Sequence, residues 1–197
     1  MKNIFNISAL LLILLCSTWS CKAQSNIINI TEKCNHVPLT KTNGSLYLKD
    51  INNLYAPYIG TWKWTQGNRE FILTLIKQTK YHYNRGIQNY YKDRIVGYYA
   101  YKENGIELIN TSNDNLNNES FMGVLYSLDC YSGLGGDIRD ILKNKFYASS
   151  LEILSPTQLR FRGKDDTHIR SQKEGQTPLQ PQYLGTTFPL DMVLIKQ

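Results

Sequence analysis

The chain has 197 residues, and its 22 Lys and Arg against 16 Asp and Glu give a net charge of +6 at pH 7. This length is typical of one globular domain with a full core, and no run of Lys and Arg is dense enough to indicate nucleic-acid binding. The positive charge is concentrated towards the N-terminus, because residues 22–105 carry 12 Lys and Arg against 5 Asp and Glu. A basic half of this kind could be attracted to an anionic bilayer, although solubility alone accounts for the net charge.

The first twenty residues are typical of an export signal. Lys2 precedes an apolar run at residues 7–16, and polar residues follow from Ser17. A transmembrane helix needs roughly 20 apolar residues, whereas a signal peptide needs about 7–15. We therefore expect residues 1–20 to be a signal peptide, residues 21–45 a lipidated N-terminus and polar tether, and residues 46–197 an antiparallel β domain.

The residues around Cys21 resemble the lipobox of bacterial lipoproteins. Ser20 is a small residue directly before the cysteine and residues 22–26 are polar, whereas Thr18 stands where that family prefers an aliphatic residue. The resemblance implies that Cys21 is acylated and tethers the protein to a bacterial membrane, facing the periplasm or the cell surface. Each buried methylene of the acyl chains adds about 0.8 kcal/mol to such anchoring. The alternative is ordinary signal cleavage after Ala23.

Two cysteines remain once Cys16 leaves with the signal and Cys21 is acylated. In an oxidising periplasm, Cys34 and Cys130 most simply form one disulfide. Cys34 and His36 supply two metal ligands, but nothing nearby completes a set of four. The sequence therefore predicts no metal site and no cofactor.

Alternating side chains predict a first β-hairpin near the start of the domain. In residues 61–65, Trp62 and Trp64 fall on one face and polar residues on the other. Residues 66–68 then mark a tight turn, and residues 70–77 form the return strand.

A second hairpin pairs residues 94–101 with residues 106–110 around an Asn-Gly turn, which favours the positive φ that such turns require. Further strands are predicted at residues 123–128, 146–154, 158–162 and 190–196. One short helix is also predicted, because Asp137 is a natural N-cap after the glycine-rich residues 133–136. Ile138, Ile141 and Leu142 would share its apolar face.

No local pattern demands an enzyme. Asp165, Asp166 and His168 lie within four residues, but adjacent side chains on an extended chain point to opposite sides, so a solvated loop is the favoured interpretation. His82 lies between two tyrosines without an acidic or cysteine partner nearby, and no Gly-x-Ser-x-Gly setting occurs. A non-enzymatic protein is therefore expected.

The opening of the domain, Gly60-Thr61-Trp62, followed by a meander of strands, is similar to the Gly-x-Trp opening of lipocalin-like proteins. The resemblance implies an antiparallel up-and-down barrel of about eight strands. Trp62 would lie at its closed end, covered by Arg160 or Arg162 from a late strand. The expected fold is therefore mainly β, with a β-sandwich as the alternative. The chain also resembles uncharacterised families of small bacterial envelope lipoproteins, from which no activity follows.

A barrel of this size is either filled with side chains or holds one small ligand. The leading hypothesis is therefore binding of a small apolar or amphipathic molecule, with Trp62, Trp64, Tyr99 and Tyr101 as the ligand-binding residues. The alternative is a non-catalytic structural or interaction module that acts through an aromatic outer surface, since tyrosines crowd residues 81–101. Tyrosine is also simply a good strand former.

Overall fold

The computed structural model describes residues 26–34, 39, 42–117, 123–129, 133–165 and 183–197. Those residues form eleven strands: β1 (Asn26–Asn29), β2 (Leu46–Lys49), β3 (Gly60–Gln66), β4 (Arg69–Arg85), β5 (Gln88–Glu103), β6 (Ile106–Asn110), β7 (Val124–Asp129), β8 (Gly133–Asp140), β9 (Lys145–Ser155), β10 (Gln158–Lys164) and β11 (Asp191–Lys196). Two short 3-10 helices, Ile30–Cys34 and Ala56–Tyr58, precede β2 and β3.

Eight of the strands close into an antiparallel barrel. From β3 to β5 and from β7 to β11, each strand pairs with its neighbour in the chain, while β11 returns to β3 and β7 pairs with β5. Closure leaves these strands without a free sheet edge. The predicted up-and-down barrel and both predicted hairpins are confirmed, as are the four later strands, which are β7, β9, β10 and β11.

The barrel interior is filled by side chains that alternate along the strands. Trp62 on β3 lies opposite Leu73 on β4, and Leu73 lies opposite Tyr99 on β5. Burial of one such apolar side chain contributes about 1.5–3 kcal/mol. Most inward-facing apolar side chains of the eight strands are at most 2% exposed: Trp62, Phe71, Leu73, Leu75, Ile95, Tyr99, Tyr101, Val124, Tyr126, Leu134, Ile138, Tyr147, Leu151, Leu159, Phe161, Met192 and Leu194.

The predicted helix after Asp137 is wrong, because this segment is strand β8. Leu134, Ile138 and Asp140 are buried at every second or fourth position, which is the periodicity of a strand facing a core. Gly136 belongs to the same series, and a Cβ there would lie 2.0 Å from the carbonyl oxygen of Leu125. Glycine at this position therefore permits the close approach of β7 that closes the barrel.

Strands β4 and β5 continue well beyond their predicted ends. They form a two-residue turn at Gly86 and Ile87, where Gly86 has φ 58° and so supplies the left-handed backbone that such hairpins need. Residues 78–92, which we call the arm, lie beyond the last pairs that β4 makes with β3 and that β5 makes with β7. Strand β2 pairs in parallel with β5 at the base of the arm, and β1 pairs in parallel with β2.

The barrel has two distinct ends. The upper end carries the turns between β3 and β4, β5 and β6, and β8 and β9. The lower end carries the 3-10 helix Ala56–Tyr58, the turn between β9 and β10, and the arm. Strand β1 belongs to residues 21–45, the segment expected to be a tether, and lies at the lower end beside the arm.

Candidate functional site: the barrel interior and its two closures

Three of the four predicted ligand-binding residues lie inside the barrel. Trp62, Tyr99 and Tyr101 are fully buried, and the ring of Tyr99 stacks on Phe71 at 5.4 Å between centroids. Trp64 is half-buried, and the guanidinium of Arg69 lies 5.6 Å from its ring centre. Trp62, Tyr99 and Tyr101 thus line the barrel interior. Ligand binding by the four residues stays a prediction.

A late-strand cation covers Trp62, but it is not the expected arginine. The Nζ atom of Lys196 on β11 lies 5.0 Å from the Trp62 ring centre, and the indole N–H donates to the carbonyl oxygen of Tyr58 at 2.7 Å. Arg160 instead pairs with Asp191 on the outer surface, with nitrogen–oxygen distances of 3.1 and 2.9 Å. The expectation for Arg160 and Arg162 is wrong because the inward positions of β10 belong to Leu159 and Phe161.

Residues 50–58 close the lower end through a buried carboxylate. The side chain of Asp50 accepts hydrogen bonds from the backbone N–H groups of Leu54 at 2.7 Å and Tyr55 at 3.2 Å. It also accepts one from the Nζ of Lys77 at 2.8 Å. Tyr55 is fully buried, so this turn places an aromatic ring in the lower end of the core.

A second carboxylate, Asp93, joins this lower closure. It accepts hydrogen bonds from the Tyr47 hydroxyl at 2.6 Å, the Lys80 backbone N–H at 2.9 Å and the Asp50 backbone N–H at 3.0 Å. Burial and the hydrogen bond to Asp93 raise the pKa of Tyr47 far above its ordinary value, so its hydroxyl remains a donor. The lower closure is therefore a set of two buried carboxylates cross-linked by backbone, hydroxyl and lysine donors. Sequence reasoning missed this set.

The upper end is closed by residues 183–190, a segment without regular strand structure that places Phe188 in the barrel. The Phe188 ring is fully buried, and its centroid lies 5.2 Å from those of Phe71 and Tyr99 and 6.0 Å from that of Tyr147. Phe188 is thus a core residue supplied by a loop. We call residues 183–190 the plug.

One buried carboxylate, Asp140 at the end of β8, holds the plug in place. It accepts hydrogen bonds from the Thr187 hydroxyl at 2.7 Å, the Thr187 backbone N–H at 2.8 Å and the Tyr147 hydroxyl at 3.0 Å. Burial and the charge of Asp140 raise the pKa values of Tyr99 and Tyr147 far above the ordinary value, so both rings stay neutral. Asp140 thus gathers neutral donors, and the plug has a second attachment at the Gly185 carbonyl oxygen, which accepts from the Tyr147 hydroxyl at 3.3 Å and from the Lys145 Nζ at 3.4 Å.

His82 and Asp165, two of the residues considered for acid–base chemistry, lie at opposite ends of the barrel. His82 is in the arm, where its ring stacks on Tyr91 at 4.6 Å and bonds to the Asn89 side chain at 2.7 Å. Asp165 is at the upper end, where it pairs with Lys145 at 2.9 Å. Asp166 and His168 lie outside the described residues, as do Cys21, Cys130 and the side chain of Cys34.

The described ranges contain no group of three or more His, Cys, Asp or Glu residues placed to hold a metal ion. No helix within them has the length and apolar character needed to cross a membrane.

A family described as a family of unknown function, DUF6705, matches residues 1–125, which is more than half of the chain. The chain belongs to the DUF6705 family. No curated protein and no solved structure matches it. The expected membership of a family without a known activity is confirmed, whereas the lipoprotein character of that family stays a prediction.

The DUF6705 match covers the lower closure of the barrel and not the upper one. It ends at residue 125 within β7, so it includes Asp50, Asp93 and the whole arm. Asp140 and Phe188 lie beyond it. The lower closure and the arm therefore belong to the part of the chain by which the DUF6705 family is recognised.

Proposed function

We propose that this DUF6705 protein is exported, acylated on Cys21 and held at a bacterial envelope, where its barrel binds a small apolar or amphipathic molecule. The role is one of binding, without a catalytic step. The apolar run before Cys21 and the polar residues after it support the anchor. The closed barrel with an aromatic interior supports the ligand.

The single observation that carries the ligand proposal is the position of Phe188. The rings around Phe188 are those of Phe71, Tyr99, Tyr101 and Tyr147. All four lie on strands that pair on both sides, whereas Phe188 is supplied by a loop. Small-molecule sites are concave, mostly apolar and supplied with a few polar groups. Release of the plug would leave a space bordered by Phe71, Tyr99 and Tyr147, with the carboxylate of Asp140 at its rim.

The chemistry of this space fits an amphipathic ligand. An acyl chain or aromatic ring could take the position of the Phe188 side chain, because the surrounding rings offer apolar faces. A hydroxyl or amine at the other end of the ligand could replace the donors that Thr187 gives to Asp140. The ligand and the plug would then be alternative occupants of one site.

Competition between plug and ligand can be tested with a Thr187→Val variant and the fluorescent probe N-phenyl-1-naphthylamine. The variant removes one hydrogen bond to a carboxylate, which is worth about 1.5 kcal/mol or more. If only plug-open molecules bind, the apparent affinity rises by the same factor as their population, about tenfold. Thr61→Val is the matched control, because Thr61 contacts Thr74 on the barrel wall away from the plug.

Three results would each overturn one part of this proposal. The ligand part fails if neither the natural chain nor Thr187→Val binds the probe, or if Thr61→Val raises the affinity as much as Thr187→Val does. The anchor part fails if mass spectrometry of the full-length protein, purified from membranes, finds Cys21 without acyl chains. The same spectra report any ligand that copurifies.

One observation favours the alternative of an interaction module. The inward-facing strand residues leave almost no surface exposed inside the barrel, whereas the arm presents Tyr81, Tyr83 and Tyr91 outside the barrel as half-buried rings. If binding of the probe is absent and the arm is required for attachment to a partner, the outer surface is the functional one.

A further inference from the structure

The arm combines aromatic rings with positive charge. Residues 78–92 contain Lys80, Arg85 and Lys92 and no Asp or Glu. At the tip, Ile87 is 71% exposed, which makes it one of the most exposed large apolar side chains in the described part of the chain. An apolar tip flanked by aromatic and cationic side chains is the arrangement that proteins use at membrane–water interfaces.

Both faces of the arm carry cations beside tyrosine rings. On one face, Arg85 and Lys92 lie 5.4 and 5.0 Å from the ring centre of Tyr83. On the other face, Lys80 lies 5.5 Å from the ring centre of Tyr91. Positive charge therefore surrounds the arm.

The register of β1 directs the N-terminal chain towards the same place. Strand β1 runs parallel to β2, and β2 runs parallel to β5, so β1 begins at the end of the sheet that is nearer the arm's tip. The backbone confirms this proximity, since Asn26 bonds to Ser45 at 2.7 Å and Gly44 bonds to Asn89 at 2.7 Å. Asn89 lies two residues from Ile87.

Chain length places a limit on the distance between the arm and an anchor on Cys21. Cys21 precedes Asn26 by five residues, which span at most about 17 Å when fully extended. An acyl anchor would therefore hold the tip of the arm close to the bilayer surface.

We propose that the arm docks on an anionic bilayer, with Ile87 at the level of the headgroups and Lys80, Arg85 and Lys92 facing the lipid phosphates. This inference rests on the proposed acylation of Cys21. Docking fixes the orientation of the barrel, because the plug lies at the opposite end from the arm. The mouth closed by Phe188 then faces away from the membrane that holds the protein.

Tryptophan reporters at the two ends test this orientation. Ile87→Trp places a reporter at the tip, and Leu142→Trp places one in the exposed turn between β8 and β9 at the upper end. The full-length chain is reconstituted in vesicles of phosphatidylglycerol and phosphatidylcholine brominated near the headgroup. We expect the bromine to quench the added emission of Ile87→Trp and to leave that of Leu142→Trp unchanged.

The charge dependence of docking is tested in the Ile87→Trp background. One cation near an anionic surface contributes about fivefold to binding, so K80Q/R85Q/K92Q should lower the ratio of docked to undocked arms about 100-fold. The matched control K102Q/K143Q/K164Q removes three positive charges at the upper end and should leave the ratio unchanged. Vesicles of phosphatidylcholine alone should show little quenching.

Different results would overturn the anchor proposal and the docking proposal. If Cys21 is acylated and Ile87→Trp is not quenched, or if both triple variants lower the quenching equally, the docking proposal is overturned and the anchor stands. If Cys21 carries no acyl chain, the anchor proposal fails. The same chain added to preformed anionic vesicles then decides docking by the same quenching of Ile87→Trp.

Discussion

The two ends of the barrel are closed in different ways, although each closure uses a buried carboxylate to hold an aromatic side chain. At the lower end, Asp50 and Asp93 are joined to one another, to Lys77 and to Tyr47, and the closing residues lead directly into β3. At the upper end, Thr187 donates to Asp140, the Gly185 carbonyl oxygen accepts from Lys145 and Tyr147, and the plug itself forms no strand. The lower closure leads directly into the sheet, so we expect the upper closure to open more readily than the lower one.

The largest effect is expected from breaking the lower closure with Asp93→Ala. The substitution leaves buried donors from Tyr47, Lys80 and Asp50 without an acceptor and removes one of the carboxylates near Lys77. Loss of one partner from a buried charged set costs about 3–5 kcal/mol, which urea denaturation measures as a loss of unfolding free energy. Asp93→Asn, which keeps one acceptor oxygen, should lose less. Equal stability of Asp93→Ala and the natural chain would contradict the role of this carboxylate.

Removal of the plug's aromatic ring by Phe188→Ala should cost somewhat less. A buried Phe→Ala change costs about 3–5 kcal/mol, and the lower part of that range applies because a loop can relax into the space. Thermal or urea denaturation measures the loss. Tyr183→Ala, an exposed position of the same segment, should change stability by less than about 0.5 kcal/mol. A Phe188→Ala change as small as this control would show that the ring is not part of the core.

Asp140→Asn weakens the group that accepts hydrogen bonds from the plug. Its effect on the free energy of unfolding should be intermediate, and it should be concentrated at the plug. The neutral amide keeps one acceptor oxygen and loses the charge that strengthens the bonds from Thr187 and Tyr147, which corresponds to about 1–2 kcal/mol. Hydrogen exchange at the Thr187 amide should accelerate, whereas exchange at strand amides such as that of Leu73 should follow only the change in global stability. If hydrogen exchange accelerated equally at the plug and at the barrel strands, the plug would not open separately from the barrel.

The smallest effect is expected from an ion pair on the outer surface of the barrel, away from both closures. The guanidinium of Arg160 beside Asp191 lowers the pKa of that carboxyl in the folded state. The pair therefore stabilises the fold above the pKa of Asp191 in the unfolded chain, and this contribution is lost as the pH falls through the lower folded-state pKa. Arg160→Gln should move the pKa of Asp191 back towards its ordinary value in an NMR titration. If the pKa of Asp191 stays low in Arg160→Gln, a group other than Arg160 lowers it.

The sequence predicts the barrel well because its signals are local. Paired tryptophans, alternating side chains and an Asn-Gly turn define the first two hairpins between neighbours in the chain. The arm was not predicted because the alternation of Tyr81 and Tyr83 stops at Arg85, and polar residues occupy most of the following positions. The wrong helix arose because Ile138, Ile141 and Leu142 fit a helical face, while the turn after β8 actually leaves Ile141 and Leu142 exposed.

The closures could not be predicted because each depends on a contact between distant residues. Asp50 and Asp93 are 43 residues apart, and Asp140 and Thr187 are 47 residues apart. Each acid is unremarkable in its local sequence, and only the closed barrel brings it to its donors. Phe188 likewise lacks a strand pattern that would place it in the core. Trp62, Tyr99 and Tyr101 were easier to place inside the barrel, because apolar side chains alternate with polar ones along their strands.

Native-state hydrogen exchange at the two closing segments tests the central claim most directly. If the upper end opens independently, the Thr187 amide should exchange through a local opening whose free energy lies below that of global unfolding and changes little at low urea concentration. The Tyr55 amide, bonded to Asp50 in the lower closure, should exchange only with global unfolding. Faster local exchange at Tyr55 than at Thr187 would contradict the account.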